Sequence, residues 1–173
     1  VMKQYEKKYP YFEFIGPTPI DYDAIESFGI CVWEELCKFN LEKYVKRGIK
    51  KIGIIFNLDK HTEDGSHWVS MFVDIENKFI FYFDSAGAEI PHQMMNLVKR
   101  IQNQGKTINP KILFKFHQNF PLEHQYENTE CGMYSLFFNI TMLSGKIYDK
   151  KATPRKLISF FKNKRMPDKK DEL

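Results

Sequence analysis

The chain predicts an α+β domain, with a central mixed sheet, helices on both of its faces, and one buried helix. Three observations carry this expectation. The apolar stretches HWVSMFVDI (67–75) and KFIFYFD (78–84) flank a Glu-Asn pair, as two hairpin strands would. The segment CGMYSLFFNITML (131–143) is apolar nearly all round, which suits a helix covered on every side. Strand-like and helix-like segments succeed one another with no repeat, low-complexity segment or linker, so residues 1–173 are expected to form one domain.

Each element has its own warrant. The chain opens in a helical stretch that already contains Val1, which suggests residues upstream. GPTPIDYD (16–23) reads as a turn leading to a helix capped near Asp21 or Asp23. That helix is expected to run through AIESFGICVWEELCKFNLEKYV to Gly48, because Ile25, Phe28, Val32, Leu36 and Phe39 recur at helical spacing. KKIGIIFNLD (50–59) reads as a buried strand. In the hairpin, Glu76 and Asn77 as turn residues make paired positions sum to 153. AEIPHQMMNLVKRIQNQG reads as a helix stopped at Gly105, and KILFKFH (111–117) as a fourth strand. TPRKLISFF (153–161) closes the series as a helix with Thr153 as its cap and Pro154 in its first position.

Composition excludes several classes. With 16 Phe and 9 Tyr the chain is too apolar for a disordered segment. No apolar run approaches the roughly 20 residues a bilayer span needs, so a soluble protein without membrane contact is expected. Three cysteines without a CxxC pair make neither a disulfide framework nor a zinc-finger pattern. They fit a reducing, intracellular, cytoplasmic setting, with Cys31 and Cys37 as structural thiols inside the long helix. From Lys146 onward ten Lys/Arg face four Asp/Glu, while the preceding residues carry a net −2. This basic end is either a solvated tail or a docking patch for an acidic partner or nucleic acid. The last four residues read KDEL, a retrieval signal that has no meaning without a secretory leader, and none is seen at the start; it is read as coincidence.

The hairpin register also groups polar residues. Asp84 falls opposite Val69, and His67 lies two residues further along the same face, within the roughly 7–8 Å of a diagonal pair. The inner positions of that face are Val69, Met71, Val73, Ile80 and Tyr82, and the other face carries Trp68, Phe72, Phe79, Phe81 and Phe83. A His and an Asp at the mouth of a hairpin covered on both sides suit a general base and the carboxylate that orients it. Cys131 stands where a short polar run meets the buried helix, with Asn128 or Thr129 as expected N-cap. Unpaired N–H groups and the helix dipole favour a thiolate there and can hold an oxyanion. Gly132 removes a side chain that could obstruct a substrate carbonyl, Cys131 is expected to be exposed and rich in thiolate, and Gln125 brings an amide donor on the entering loop.

GSHWVSMFVD, FIFYFDSAG and HQYENTECGMYSLFF resemble the His-Trp, Tyr/Phe-Asp-Ser and Gln…Asp-Cys-Gly blocks of the ubiquitin-like-protein proteases, the deSUMOylase and adenain clan of cysteine peptidases. The three blocks stand in the same order with similar spacing, and PIDYD looks most like the virion-maturation proteases of large DNA viruses. Glu130 stands where the cellular enzymes usually have Asp. The resemblance implies a papain-like cysteine protease fold with the nucleophile on the buried helix. It implies a triad of His67, Asp84 and Cys131, Gln125 as oxyanion-hole residue, and Trp68 narrowing the substrate cleft so that cleavage follows glycine. Substrates would be ubiquitin-like proteins or viral structural precursors, in the virion or host cytoplasm if the protein is viral. No cofactor or metal is expected. Three rivals are a protein acyltransferase using the same triad, a non-catalytic ubiquitin-like-protein binding module, and a zinc site of His61, His67 and Cys131, for which no paired-ligand spacing exists.

Overall fold

A computed structural model describes residues 1–166 of the chain. Five strands form one sheet in sequence order: β1 (Phe12–Pro19), β2 (Lys51–Asn57), β3 (Trp68–Asp74), β4 (Phe79–Phe83) and β5 (Lys115–Gln118). The two inner pairs are antiparallel and the two outer pairs parallel, so the sheet is mixed as expected.

Side-chain alternation divides this sheet between two cores. Val69, Met71, Val73, Ile80 and Tyr82 face one, together with Ile52, Ile54 and Phe56 of β2. Phe72, Phe79, Phe81 and Phe83 face the other. The two sets are those assigned from the hairpin pattern, and the register agrees: Ser70 pairs with Phe83 and Met71 with Tyr82. The turn is wider than two residues. Lys78 takes φ 61°, and the Asn77 N–H donates to the Asp74 carboxylate at 2.8 Å.

The first core is covered by α4 (His92–Thr107), which buries Met94, Leu97, Val98 and Ile101. It begins after Pro91 rather than at Ala88, and runs two residues beyond the expected stop at Gly105. The second core is covered by α1 (Met2–Lys8), α5 (Cys131–Ser144) and α6 (Pro154–Asn163). Thr153 caps α6 as expected, its hydroxyl accepting from the Lys156 N–H at 3.3 Å.

α5 approaches the sheet closely because β2 offers no side chain at Gly53, where a Cβ would overlap Asn139 Oδ1. Asn139 Nδ2 donates to Ser70 Oγ at 3.1 Å and to the Ser135 carbonyl at 3.0 Å. Ser70 Oγ in turn donates to the same carbonyl at 3.1 Å.

β5 begins at Lys115, four residues later than expected, and two larger expectations fail. Residues 16–19 are the end of β1, not a turn. β1 lies at the sheet edge, where Pro17 and Pro19 cost no ladder bond. Its register shifts between Ile15 and Thr18; Gly16, at φ 113°, lies against the Ile55 carbonyl with no room for a Cβ.

The long helix is also absent. In its place come a 3-10 turn (Ser27–Gly29), α2 (Glu34–Cys37) and α3 (Leu41–Lys46). Phe28 and Gly29 both take φ 74°, Ile25 bridges Cys31, and Cys31 is joined to Cys37 by a disulfide. The periodic apolar residues do not share a buried face: Leu36 and Phe39 are buried, but Ile25 and Phe28 are 71% and 99% exposed. The disulfide also corrects the reading of both cysteines as helical thiols. Helix continuity is replaced by α4, where Arg100 binds the Leu36 and Cys37 carbonyls.

β6 (Lys146–Ile147) and β7 (Lys150–Lys151) form a small hairpin before α6. Its lysines, with Arg155, Lys156 and Lys162 of α6, are exposed. The terminal KDEL lies outside the described residues. No helix among the described residues is long and apolar enough to cross a membrane.

Candidate active site

His67 immediately precedes β3, and Asp84 immediately follows β4. Since these strands are antiparallel neighbours, the two residues meet at one end of the sheet: His67 Nε2 lies 2.7 Å from Asp84 Oδ1. Asp84 is 1% exposed. Its Oδ1 also accepts from the Ala86 N–H at 2.8 Å, and its own N–H donates to Asn119 Oδ1 at 2.9 Å. Asn119 Nδ2 returns a bond to the Asp84 carbonyl at 2.6 Å. With its backbone and Oδ1 held in this way, Asp84 fixes the ring bonded to it.

The hydrogen bond to Asp84 holds the His67 imidazole above its ordinary range, against the opposing effect of burial. The neighbouring Cys131 side chain acts in the same direction. With Nε2 committed to Asp84, Nδ1 is the nitrogen left for the thiol. The structure therefore brings His67, Asp84 and Cys131 together.

Cys131 is the first residue of α5. The expected cap at Asn128 or Thr129 is not formed. Glu130 holds the N-cap position, and its carboxylate reaches back to accept from the N–H groups of Tyr126 and Glu127, both at 3.1 Å. Cys131 itself is only 5% exposed, a correction to the expectation of an open thiol. It is reached through a groove of about 720 Å³ lined by Phe14, Pro17, Ile55, Trp68, Met133 and Leu136. Trp68 stands beside the first turn of α5, its Cδ1 lying 3.7 Å from where a Cβ on Gly132 would stand.

Gln125 is buried on the loop entering α5. Its Oε1 accepts from Ser85 Oγ at 2.8 Å, and its carbonyl accepts from Arg165 at 2.7 Å. Sequence reasoning missed Ser85, Asn119 and Arg165, although Ser85 stands next to Asp84 inside a quoted motif. His61 is engaged elsewhere, 2.7 Å from Asp21 Oδ2. Among the described residues no group of three or more His, Cys, Asp or Glu could hold a metal ion.

Comparison with known proteins supports this frame. The chain is 39% identical over 151 residues to a protein of Acanthamoeba polyphaga mimivirus named for thiol protease activity, an alignment covering 86% of this chain and 47% of that protein. It is 37% identical over 119 residues to the cysteine protease of African swine fever virus, covering 68% of this chain and 42% of the relative. The chain thus spans about half the length of the curated relatives it matches. Among solved structures, an African swine fever virus protease superposes with TM-score 0.67 at 23% identity, covering 96% of this chain and 64% of the other. The SUMO protease Ulp1 gives TM-score 0.55 at 19% identity over 93% and 69% of the two chains. Both share the fold. Residues 42–173 match the Ulp1 protease family, C-terminal catalytic domain. By that match, and by the viral relatives, this chain belongs to the Ulp1 family of cysteine proteases.

Proposed function

We propose that this chain is the catalytic domain of a cysteine endopeptidase that cleaves after glycine in ubiquitin-like-protein or viral precursor substrates. The observation carrying the reading is the 2.7 Å His67–Asp84 bond at the end of the sheet, beside the first residue of α5, Cys131, whose side chain acts on the same ring. Imidazole takes the thiol proton, and sulfur attacks the scissile carbonyl. The oxyanion is met by the Gln125 amide and the first-turn N–H groups of α5, which have no intrahelical acceptor. His67 then gives its proton to the leaving amine, and water, activated by the same ring, releases the acyl group.

Glycine preference is supported by Trp68, whose ring edge stands beside the first turn of α5, Cδ1 3.7 Å from where a Cβ on Gly132 would stand. Ulp1 has been solved in complex with Smt3, the yeast orthologue of SUMO, and the viral relatives are themselves named as proteases. The exposed lysines of β6, β7 and α6 offer contact to an acidic partner. The deciding experiment incubates the protein with SUMO and ubiquitin precursors and with Gly-Xaa-Gly peptides, and sequences the products. Cleavage after glycine is expected. No cleavage of any substrate, together with label transfer from acetyl-CoA to protein, would replace hydrolysis by acyl transfer.

A further inference from the structure

We propose that Ser85 and Arg165 are positioning residues that lock the Gln125 side chain with its Nε2 toward the oxyanion; the inference rests on the reading of Gln125 as oxyanion donor. A primary amide offers one oxygen and one NH₂ group on similar stems, so an unrestrained glutamine can present either. Presented oxygen-first, it would repel the charge it has to stabilise. Ser85 removes this ambiguity. Its hydroxyl belongs to a residue only 1% exposed, and a buried hydroxyl needs an acceptor. Gln125 Oε1 is that acceptor, at 2.8 Å. Fixing the oxygen fixes the nitrogen, and Nε2 makes no hydrogen bond among the described residues.

The backbone is held as firmly as the side chain. The Ser85 carbonyl accepts from the N–H groups of His124 and Gln125 at 2.7 and 3.0 Å. Beyond α6 the chain returns to the same loop. Arg165 donates to the Gln125 carbonyl at 2.7 Å, and its guanidinium lies over the Tyr126 ring at 3.9 Å. Tyr126 Oη donates to the Met166 carbonyl at 2.7 Å, and the Met166 N–H donates to His124 Nδ1 at 3.2 Å. Three consecutive residues, 124–126, are therefore tied both to the residue after Asp84 and to the segment after the last helix. The oxyanion donor and the carboxylate orienting His67 share one support, since Ser85 follows Asp84 directly.

The test is steady-state kinetics on a glycine-containing peptide with Ser85→Ala, Gln125→Ala, their double variant, Arg165→Ala and Arg165→Lys. Losing an oxyanion donor costs about 10²–10³ in kcat, so Gln125→Ala should fall by that factor with KM little changed. Ser85→Ala should lower kcat about tenfold, a part of that donor's worth, again at nearly constant KM. In the double variant kcat should equal that of Gln125→Ala alone, because Ser85 acts only through the amide. Arg165→Ala should also lower kcat, and Arg165→Lys should recover most of it, since an ammonium can still donate to the Gln125 carbonyl. If Gln125→Ala leaves kcat unchanged, the oxyanion reading fails and this inference with it. If Gln125→Ala is damaging while Ser85→Ala is silent, or the two losses multiply, Ser85 does not position the amide and the oxyanion reading stands. An unchanged kcat in Arg165→Ala removes Arg165 from the support.

Discussion

A single sulfur atom carries the proposed chemistry, and its surroundings make it the chain's only free thiol among the described residues. Iodoacetamide should therefore add one label to the non-reduced protein, at Cys131, and labels at Cys31 and Cys37 only after reduction. Mass spectra showing Cys31 or Cys37 labelled without reductant would contradict the disulfide. Cys131→Ala should abolish turnover and leave the thermal midpoint nearly in place. Asp84→Asn should cost less than His67→Ala yet approach the roughly 10⁴-fold loss known for the equivalent change in a serine triad. The same substitution should be visible in the ring itself. Asp84 holds His67 above the ordinary value of about 6.5, so the NMR titration of His67 should move to lower pH in Asp84→Asn. The stability contributed by this pair is fully present below the unfolded value and fades as pH rises through the raised folded one. An unmoved titration would show that another group sets the ring's basicity.

The elements divide by how local their causes are. The β3–β4 hairpin was legible because a period of two fixes which residues share a face, and from that the His67–Asp84 pair followed. The buried α5 and the Thr153–Pro154 start of α6 were legible for similar local reasons. β1 was hidden by Gly16, Pro17 and Pro19, which signal turns unless the strand is known to lie at an edge, a fact about neighbours. The continuous helix expected from Asp21 or Asp23 to Gly48 shows the converse, since helical spacing alone does not prove a common apolar face. Ser85, Asn119 and Arg165 were invisible because they act across 35–40 residues through irregular segments that have no period. One test belongs to this scale. Gly53→Val would drive a side chain into Asn139, and overpacking of this kind costs about 1–3 kcal/mol. Denaturant melts should show that loss, with reduced kcat as α5 is displaced; wild-type stability would mean the seam yields without strain.

For the molecule as a whole, His124 sets a lower limit on pH. It is fully buried, donates through Nε2 to the Phe161 carbonyl at 2.7 Å and accepts at Nδ1 from Met166, so it is folded in its neutral form. Burial holds it below the ordinary imidazole value. As pH falls through about 6.5 the unfolded chain takes up a proton that the folded chain refuses, and stability declines until the depressed folded value is reached. Compared with His124→Phe, the wild type should lose stability more steeply on acidification over that interval. Parallel stability curves for the two proteins would assign the acid response to other groups.

The knot of Gly53, Ser70 and Asn139 has a consequence for where this fold can tolerate change. Asn139 lies eight residues along α5 from Cys131, about 12 Å at the usual rise of 1.5 Å per residue. A helix free to slide by one residue would carry the sulfur about 1.5 Å along its axis and swing it away from His67. The knot works as a datum from which the depth of the proposed nucleophile is set, from a place buried away from the groove. On the proposed reading, substitutions in groove walls such as Met133 would leave the placement of sulfur against imidazole unchanged. The proposed substrate contacts and the proposed catalytic geometry would thereby lie in different parts of one helix.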